Sequence, residues 1–403
     1  MHTFYIETVG CQMNVLDSEL ASSALLRSGL QQAETLASAD VILYNTCSVR
    51  EHAEDKVYSA LGRLKNWKAE KPYGVLGVIG CMAQKDQKLV FQRAPHVDFV
   101  LGPGQLDILA ETIERLFHEK PRPVKMVCAS LHRATNKHAD VLESFRQYNP
   151  ERVILTTPAP PQEENDPTLV RIMFGCDQFC TYCVVPFVRG PEQSRPPQDI
   201  MNEVQHLAGQ GVTQITLIGQ AVNSYRYQEE EKQTRLADLL YQLSNISGIE
   251  WIDFVTNYPL HITDDLLQAV RDLPQVSKHL HIPAQSGSDA VLKRMNRHYT
   301  AGQYREMTDR IYGTVPGATM TSDFIVGFCG ETEEDFEQTV DLVKYCRFRN
   351  SFIFKYSPRP GTKAAELYAD DVPEEIKKYR NNHLLEIQIE ISRQLAAKPE
   401  PES

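Results

Sequence analysis

The stretch Leu169-Val170-Arg171-Ile172-Met173-Phe174-Gly175-Cys176-Asp177-Gln178-Phe179-Cys180-Thr181-Tyr182-Cys183 joins a short apolar run to three cysteines spaced C-x3-C-x2-C. The spacing offers three thiolates to one small metal centre and no fourth. A closed structural zinc site takes four protein ligands, whereas an iron–sulfur cubane held by three cysteines keeps one iron open for a substrate or cofactor. Zinc, disulfides and plain buried thiols are the competing readings. Leu169 to Phe174 reads as a buried strand, so the cysteines begin where a strand ends.

Downstream, strand and helix patterns alternate. Gln214 to Ile218, Trp251 to Val255, His279 to Ile282, Met320 to Val326 and Phe352 to Tyr356 read as five further strands. Six βα units fit a partial (β/α)6 TIM-like barrel, whose chemistry gathers at the carboxyl ends of the strands. The distinctive motifs fall there: Gly219-Gln220-Ala221-Val222-Asn223, Thr256-Asn257-Tyr258-Pro259, Gln285-Ser286-Gly287-Ser288 and Gly327-Phe328-Cys329-Gly330-Glu331. Singly, each reads as a turn or helix cap. Together, Gln220, Asn223, Gln285, Ser286, Gly327, Gly330 and Glu331 surround one mouth with amide, hydroxyl and carboxylate groups. That suits a polar cofactor with amino-acid, ribose and adenine parts, and Gly327 and Gly330 would let backbone approach a ring.

The N-terminal part repeats the arrangement in another form. Thr3 to Thr8, Val41 to Thr46 and Gly74 to Ile79 read as buried strands followed by helical periodicity, with Val97 to Leu101 as a fourth. This βαβα order predicts a parallel sheet. Gly10-Cys11, Thr46-Cys47 and Gly80-Cys81 stand at the ends of the first three strands, where open α/β sheets bind ligands. Cys11, Cys47 and Cys81 therefore form a second candidate three-thiolate site, aided by helix N-termini at Gln12, Ser48 and Met82; three separate buried cysteines are the alternative.

The 403 residues, 42% hydrophobic and 24% charged, suffice for two compact domains with ordinary cores. No leader pattern and no apolar run of about twenty residues is seen, so a reducing cytoplasm is expected. Nine cysteines fit metal ligation better than a disulfide framework, with Cys128, Cys329 and Cys346 as bystanders. The net charge of -11 argues against indiscriminate nucleic-acid binding by the whole surface. Arg50, Lys56, Arg63, Lys65, Lys68 and Lys71, with Arg189 and Arg195, are candidates for a local basic patch or for solvated faces.

With both cysteine sets placed, the chain resembles the radical S-adenosylmethionine (radical SAM) methylthiotransferases over nearly its whole length. Gly10-Cys11-Gln12-Met13-Asn14-Val15-Leu16-Asp17-Ser18-Glu19 and Asn45-Thr46-Cys47-Ser48-Val49-Arg50-Glu51 are similar to the two leading motifs of the MiaB-type group. Ribosomal-protein relatives carry Pro-Lys in place of Gln12-Met13. Val185-Pro186-Phe187-Val188-Arg189-Gly190 and Met295-Asn296-Arg297-His298-Tyr299 also look like the family.

The resemblance implies an N-terminal flavodoxin-like parallel α/β domain at 1–125, a linker at 126–165, a radical SAM core at 166–371 and a C-terminal helix and tail at 372–403. It implies two [4Fe–4S] clusters and S-adenosylmethionine. Cys176, Cys180 and Cys183 would hold the cluster that reduces S-adenosylmethionine to a radical, and Cys11, Cys47 and Cys81 the one that presents sulfur. The implied activity is 2-methylthiolation of N6-dimethylallyladenosine beside the anticodon of tRNA. An anticodon stem-loop, an electron donor such as flavodoxin or ferredoxin, and a sulfur donor are the implied partners of a monomeric, non-membrane enzyme. Methylthiolation of a ribosomal protein, or a non-catalytic cluster-bearing RNA-binding paralogue, are the alternatives.

Three departures from the family pattern stand out. The chain stops at Ser403, after the helix that would lead into the family's small RNA-binding β-barrel, the TRAM domain, so weak tRNA binding, or use of a partner, is expected. Thr256-Asn257-Tyr258-Pro259 replaces a Ser-His-Pro stretch, and Cys329 stands where relatives carry Pro.

Overall fold

The computed structural model describes residues 2–48, 51–119, 125–129 and 167–397, without the side chains of residues 51–53. Two compact units are present: Met1–Asp166 with Val184–Glu192, and Pro167–Cys183 with Gln193–Ser403.

In the first unit β1 (Thr3–Val9), β2 (Gln31–Gln32), β3 (Val41–Thr46), β4 (Val75–Gly80), β5 (Phe99–Leu101) and β6 (Met126–Cys128) form one parallel sheet in the order β2-β1-β3-β4-β5-β6. The order up to β5 is the flavodoxin-like one. β3 and β4 are buried at every position, as expected of central parallel strands covered on both faces. Alternate residues feed two cores. Ile42, Tyr44, Leu76 and Val78 pack with Val57, Leu61, Leu64 and Trp67 of the helix Glu51–Glu70. Val41, Leu43, Val75 and Ile79 pack with Ala21 and Leu25 of the helix Gln12–Arg27 and with Leu109, Ile113 and Leu116 of the helix Leu109–His118.

Met126–Cys128 falls in the segment expected to be linker, yet it pairs with β5 from Phe99↔Met126 to Leu101↔Cys128. Its physical reason is the exposed edge of β5, which a short strand covers and hydrogen-bonds. The rest of that expected linker, from 130 to 165, lies outside the described residues.

The second unit holds β7 (Thr168–Arg171), β8 (Met173–Phe174), β9 (Gln193–Ser194), β10 (Gln214–Ile218), β11 (Arg226–Glu229), β12 (Lys232–Arg235), β13 (Trp251–Val255), β14 (His279–His281), β15 (Thr319–Val326) and β16 (Asn350–Lys355). β13-β10-β7 and β14-β15-β16 are parallel three-stranded sheets. The backbone N–H of Asn257 donates to the His281 carbonyl at 3.1 Å, stitching the ends of β13 and β14 into a half-open barrel. One core cluster runs between its strands and the surrounding helices. The expected first barrel strand is two pieces, because Ile172 separates β7 from a β8 that pairs antiparallel with β9.

The C-terminal helix Glu374–Ala396 belongs to this unit. It buries Leu384 and Ile391, and its Gln388 bridges Ser351 Oγ and the Phe348 carbonyl, both at 2.8 Å. Among the described residues no helix is long and apolar enough to cross a membrane.

Candidate functional site

None of the nine cysteines is in a disulfide, and the two sets of three fall in different units. In the first unit the sheet order reverses between β1 and β3, the position where open α/β sheets take ligands. Cys11 and Cys47 stand at the carboxyl ends of those two strands and Cys81 at the end of β4. Two asparagines fasten the ends together. Asn14 Nδ2 donates to Asn45 Oδ1 at 3.0 Å and to the Thr46 carbonyl at 3.2 Å, while Asn45 Nδ2 donates to the Asn14 carbonyl at 2.8 Å. Both are fully buried, so Asn14 and Asn45 each hold a neighbouring cysteine, Cys11 or Cys47, in place within the strand ends. Gly10 is required by this closeness: a Cβ there would lie 2.4 Å from Asn14 Oδ1 and 2.9 Å from Cys47 Cβ.

Cys11 precedes the helix Gln12–Arg27, and its thiol is pulled down to about 6. Hydrogen bonding with Cys47 is the largest cause; burial opposes it, and the Arg189 guanidinium and the first helical N–H groups add to it. Cys81 is pushed up, because complete burial outweighs the same guanidinium. Arg189 joins the set from Val184–Glu192. Its Nε lies 3.3 Å from Cys81 Sγ, one Nη donates to Asp17 at 2.7 Å, and the other Nη is buried without a partner.

In the second unit the C-x3-C-x2-C loop is held by a segment more than a hundred residues away. Thr181 N donates to the Met295 carbonyl at 3.0 Å, Thr181 Oγ1 to the Arg294 carbonyl at 2.9 Å, and Asn296 Nδ2 to the Phe179 carbonyl at 3.0 Å. Arg297 Nη1 lies 3.3 Å from Cys180 Sγ. Its other donors reach Tyr299 Oη at 2.9 Å and the Pro283 carbonyl at 3.1 Å, with Tyr258 and Tyr299 rings beside the guanidinium. Met295-Asn296-Arg297-His298-Tyr299 is thus the scaffold of the cysteine loop, a role its wording alone did not reveal. Tyr258, from the departing Thr256–Pro259 stretch, is buried against Tyr299 with centroids 6.0 Å apart. Cys329 packs with Phe328, Tyr356 and Ala364.

The other expected cofactor residues divide. Gln220 keeps a buried Oε1 without a hydrogen-bond partner after β10, as does Asn257 Oδ1 after β13. Asn223 is spent internally: its Nδ2 donates to the Tyr258 carbonyl at 2.8 Å and its Oδ1 accepts the Tyr258 N–H at 2.7 Å. Ser286 meets Thr339 at 3.3 Å and accepts the Ser288 N–H at 3.2 Å. Gln285 is buried in the left-handed region (φ 68), its backbone paired with β15. Glu331 takes Arg380 at 2.8 Å and the Gly327 N–H at 2.5 Å, leaving its Oε1 buried and unpartnered. The space above Gly327 is occupied by Lys377, whose Cγ would lie 2.3 Å from a Cβ there; with φ 69, packing and backbone conformation account for this glycine. Gly330 N donates to Asp371 at 2.7 Å.

Of the basic residues grouped from the sequence, four are engaged within the fold, while Lys56, Arg63 and Lys65 are exposed. Lys68 pairs with Asp98 at 2.5 Å, Lys71 caps the Ser38 and Ala39 carbonyls, Arg195 pairs with Glu203 at 2.7 Å, and Arg189 is buried. Arg50 lies outside the described residues.

Among the described residues no three His, Cys, Asp or Glu side chains close tightly enough to share one ion. A cubane asks less, since each thiolate meets a different iron. The donors fit it: soft thiols, a buried unpartnered Nη at one set, and orphaned amide oxygens at the barrel mouth that a polar cofactor would satisfy.

Comparisons with known proteins agree with this donor chemistry. The radical SAM superfamily profile matches residues 170–343, and that of the uncharacterized protein family UPF0004 matches residues 3–102. The chain is 53% identical to the tRNA-2-methylthio-N(6)-dimethylallyladenosine synthase of Rhodopirellula baltica, over 97% of this chain and 80% of that protein. Synthases of the same name from Syntrophotalea carbinolica (41%, covering 98% and 85%) and Neisseria meningitidis (43%, covering 96% and 83%) are also similar. Among solved structures, the radical S-adenosylmethionine methyltransferase TsrM of Kitasatospora setae has a TM-score of 0.61 at 12% identity, covering 90% of this chain and 77% of that one. That likeness concerns the fold. The protein is a radical SAM enzyme. It belongs to the tRNA-2-methylthio-N(6)-dimethylallyladenosine synthase family.

Proposed function

We propose that this chain replaces the C2 hydrogen of N6-dimethylallyladenosine, beside the anticodon of a tRNA, with a methylthio group. The observation that carries this reading is the 53% identity to such a synthase across 97% of the chain. When bound, the cofactors supply one-electron reductive cleavage of S-adenosylmethionine at one [4Fe–4S] cluster and a transferable sulfur at the other. Cys176, Cys180 and Cys183 hold the first cluster; Cys11, Cys47 and Cys81 hold the second. Gln220 and Asn257 offer unpartnered amide oxygens to the amino, ribose or adenine donors of the cofactor. Tyr258 and Tyr299 wall in the Cys180 side of the loop, and the Asn14–Asn45 pair holds the first set's strand ends in register.

In this reading residues 1–125, extended by β6, present sulfur; 166–371 make the radical; the helix within 372–403 completes the barrel unit. The enzyme acts as a cytoplasmic monomer on the anticodon stem-loop, with a flavodoxin- or ferredoxin-like electron donor and a separate sulfur donor. The test is anaerobic reconstitution with iron and sulfide, then incubation with S-adenosylmethionine, a reductant and an isopentenylated anticodon stem-loop. The 2-methylthio nucleoside is expected on mass spectrometry of the digest. Formation of 5′-deoxyadenosine with every adenosine unchanged would overturn the substrate assignment.

A further inference from the structure

Both three-cysteine sets carry a guanidinium at the same distance from one sulfur, 3.3 Å, but the charge of the two guanidinium groups is handled differently. Arg189, beside Cys81, is paired with Asp17 at 2.7 Å, and both side chains are almost wholly buried, at 2% and 1% exposure. Its positive charge is offset in part by that carboxylate, which acts on Cys81 against it. Arg297, beside Cys180, makes no ion pair with a carboxylate among the described residues. Its other partners are a tyrosine hydroxyl and a backbone carbonyl. Tyr299 is pushed up to about 12, chiefly by burial, so it stays neutral at physiological pH and cancels nothing. A partly buried cation without a counter-ion is costly. The sulfur of Cys180 lies within its reach, and as an iron ligand that sulfur is a thiolate.

We propose that Arg297 is the counter-cation of the cluster bound by Cys176, Cys180 and Cys183 and makes that cluster the easier of the two to reduce, while Asp17 offsets part of the equivalent effect of Arg189 at Cys11, Cys47 and Cys81. The inference rests on the ligand assignments proposed above. A cubane held by three thiolates is anionic, and its negative charge grows by one on reduction. An uncompensated cation therefore favours the reduced form, and a neutral ion pair does so far less. The biased step is the gain of one electron from an external low-potential one-electron donor; no bond forms or breaks and no proton moves. In sulfur insertion this sends the electron to the centre that cleaves S-adenosylmethionine and leaves the sulfur-presenting centre oxidised. Coulomb's law with an effective dielectric constant of about 20 makes such a charge worth at least about tenfold in the reduced-to-oxidised ratio, which for a one-electron couple is about 59 mV. Arg297 is a positioning residue here, since it acts through the cluster.

The experiment is a redox titration of the reconstituted full chain, followed by electron paramagnetic resonance. Added S-adenosylmethionine, which perturbs only the cluster that binds it, tells the two signals apart. Arg297→Gln should lower the reduced fraction of the S-adenosylmethionine-responsive cluster about tenfold at fixed potential, and Arg297→Lys should keep it near the parent value. Asp17→Asn should raise the reduced fraction of the other cluster by a similar factor. Equal shifts for Gln and Lys, or none for a cluster-loaded Arg297→Gln protein, would overturn the proposal. Should Arg297→Gln fail to load iron, Asp17→Asn decides alone, and no shift there overturns the proposal. Failure of the ligand assignment looks different: a Cys176→Ala, Cys180→Ala, Cys183→Ala protein would keep about eight irons instead of about four.

Discussion

The two three-cysteine sets share a donor type but are built by opposite means. Cys176, Cys180 and Cys183 lie on one loop, which lacks regular structure and is held by hydrogen bonds from Arg294–Asn296. Cys11, Cys47 and Cys81 are scattered in sequence and gathered by a sheet whose strand ends are locked by Asn14 and Asn45. The first candidate site gets its thiol spacing from sequence and its rigidity from tertiary contacts; the second gets both from the fold. A local perturbation should loosen the loop and leave its barrel standing, whereas damage to the strand-end site should reach its sheet.

The largest effect expected is chemical. Cys180→Ala and Cys81→Ala should each drop iron from about eight to about four per chain and lower methylthiolation by about a thousandfold or more. Only Cys180→Ala should also abolish 5′-deoxyadenosine formation. If Cys81→Ala abolished it as well, the division of labour between the sets would be wrong.

Stability separates them next. Asp17→Ala leaves the buried Arg189 guanidinium without its carboxylate and should cost about 3–5 kcal/mol in denaturant unfolding. Tyr299→Phe, which removes a hydroxyl bonded to Arg297 and to the Ala284 carbonyl, should cost about 1–2 kcal/mol. Similar costs for the two would mean that the Asp17–Arg189 pair is relaxed or hydrated in solution.

Within the strand-end set the thiols themselves should differ. In chelator-stripped protein Cys11, lowered to about 6, is mostly thiolate at pH 7, while Cys81, raised above the ordinary thiol value, is protonated. Because the thiolate is the nucleophile, iodoacetamide should label Cys11 at least about tenfold faster than Cys81 at pH 7. The Cys11 rate should fall through a midpoint near pH 6 and stay flat above about pH 7, followed by peptide mass spectrometry. A midpoint at the ordinary thiol value would show that the Cys47 contact and Arg189 do not act on it.

What the sequence disclosed follows the same contrast. As candidates, the loop set was legible because C-x3-C-x2-C is contiguous, and the strand-end set because a cysteine recurs after each of three buried runs. β2 and β6 were not, since two or three residues are too few for a periodicity. Arg189 and Arg195 read as surface charge because composition carries no information about a partner such as Asp17, 172 positions away. Arg297 escaped for the same reason: Cys180 is 117 positions distant. Asn223 and Ser286 turned out to fasten the backbone and neighbouring side chains, in keeping with their reading as turn and cap residues. The orphaned oxygen of Asn257 was invisible because satisfaction is a property of the folded surroundings.

The smallest effect tests how the loop is held. Asn296 sits in the left-handed region (φ 57) and donates its amide to the Phe179 carbonyl at 3.0 Å. Two reasons for asparagine coincide, and two substitutions separate them. Asn296→Gly loses the hydrogen bond but fits the backbone without strain, so it should cost about 0.5–1 kcal/mol. Asn296→Ala loses the bond and also forces a Cβ into a disfavoured conformation, adding about 1 kcal/mol. Denaturant unfolding of the two variants measures the difference. If Gly and Ala cost the same, the backbone conformation is not what selects asparagine, and the side-chain tether alone ties this segment to the cysteine loop. Asn14→Ala, which removes two buried bonds between strand ends, should cost more than either. Were it cheaper, the strand-end site would owe its register to the sheet alone.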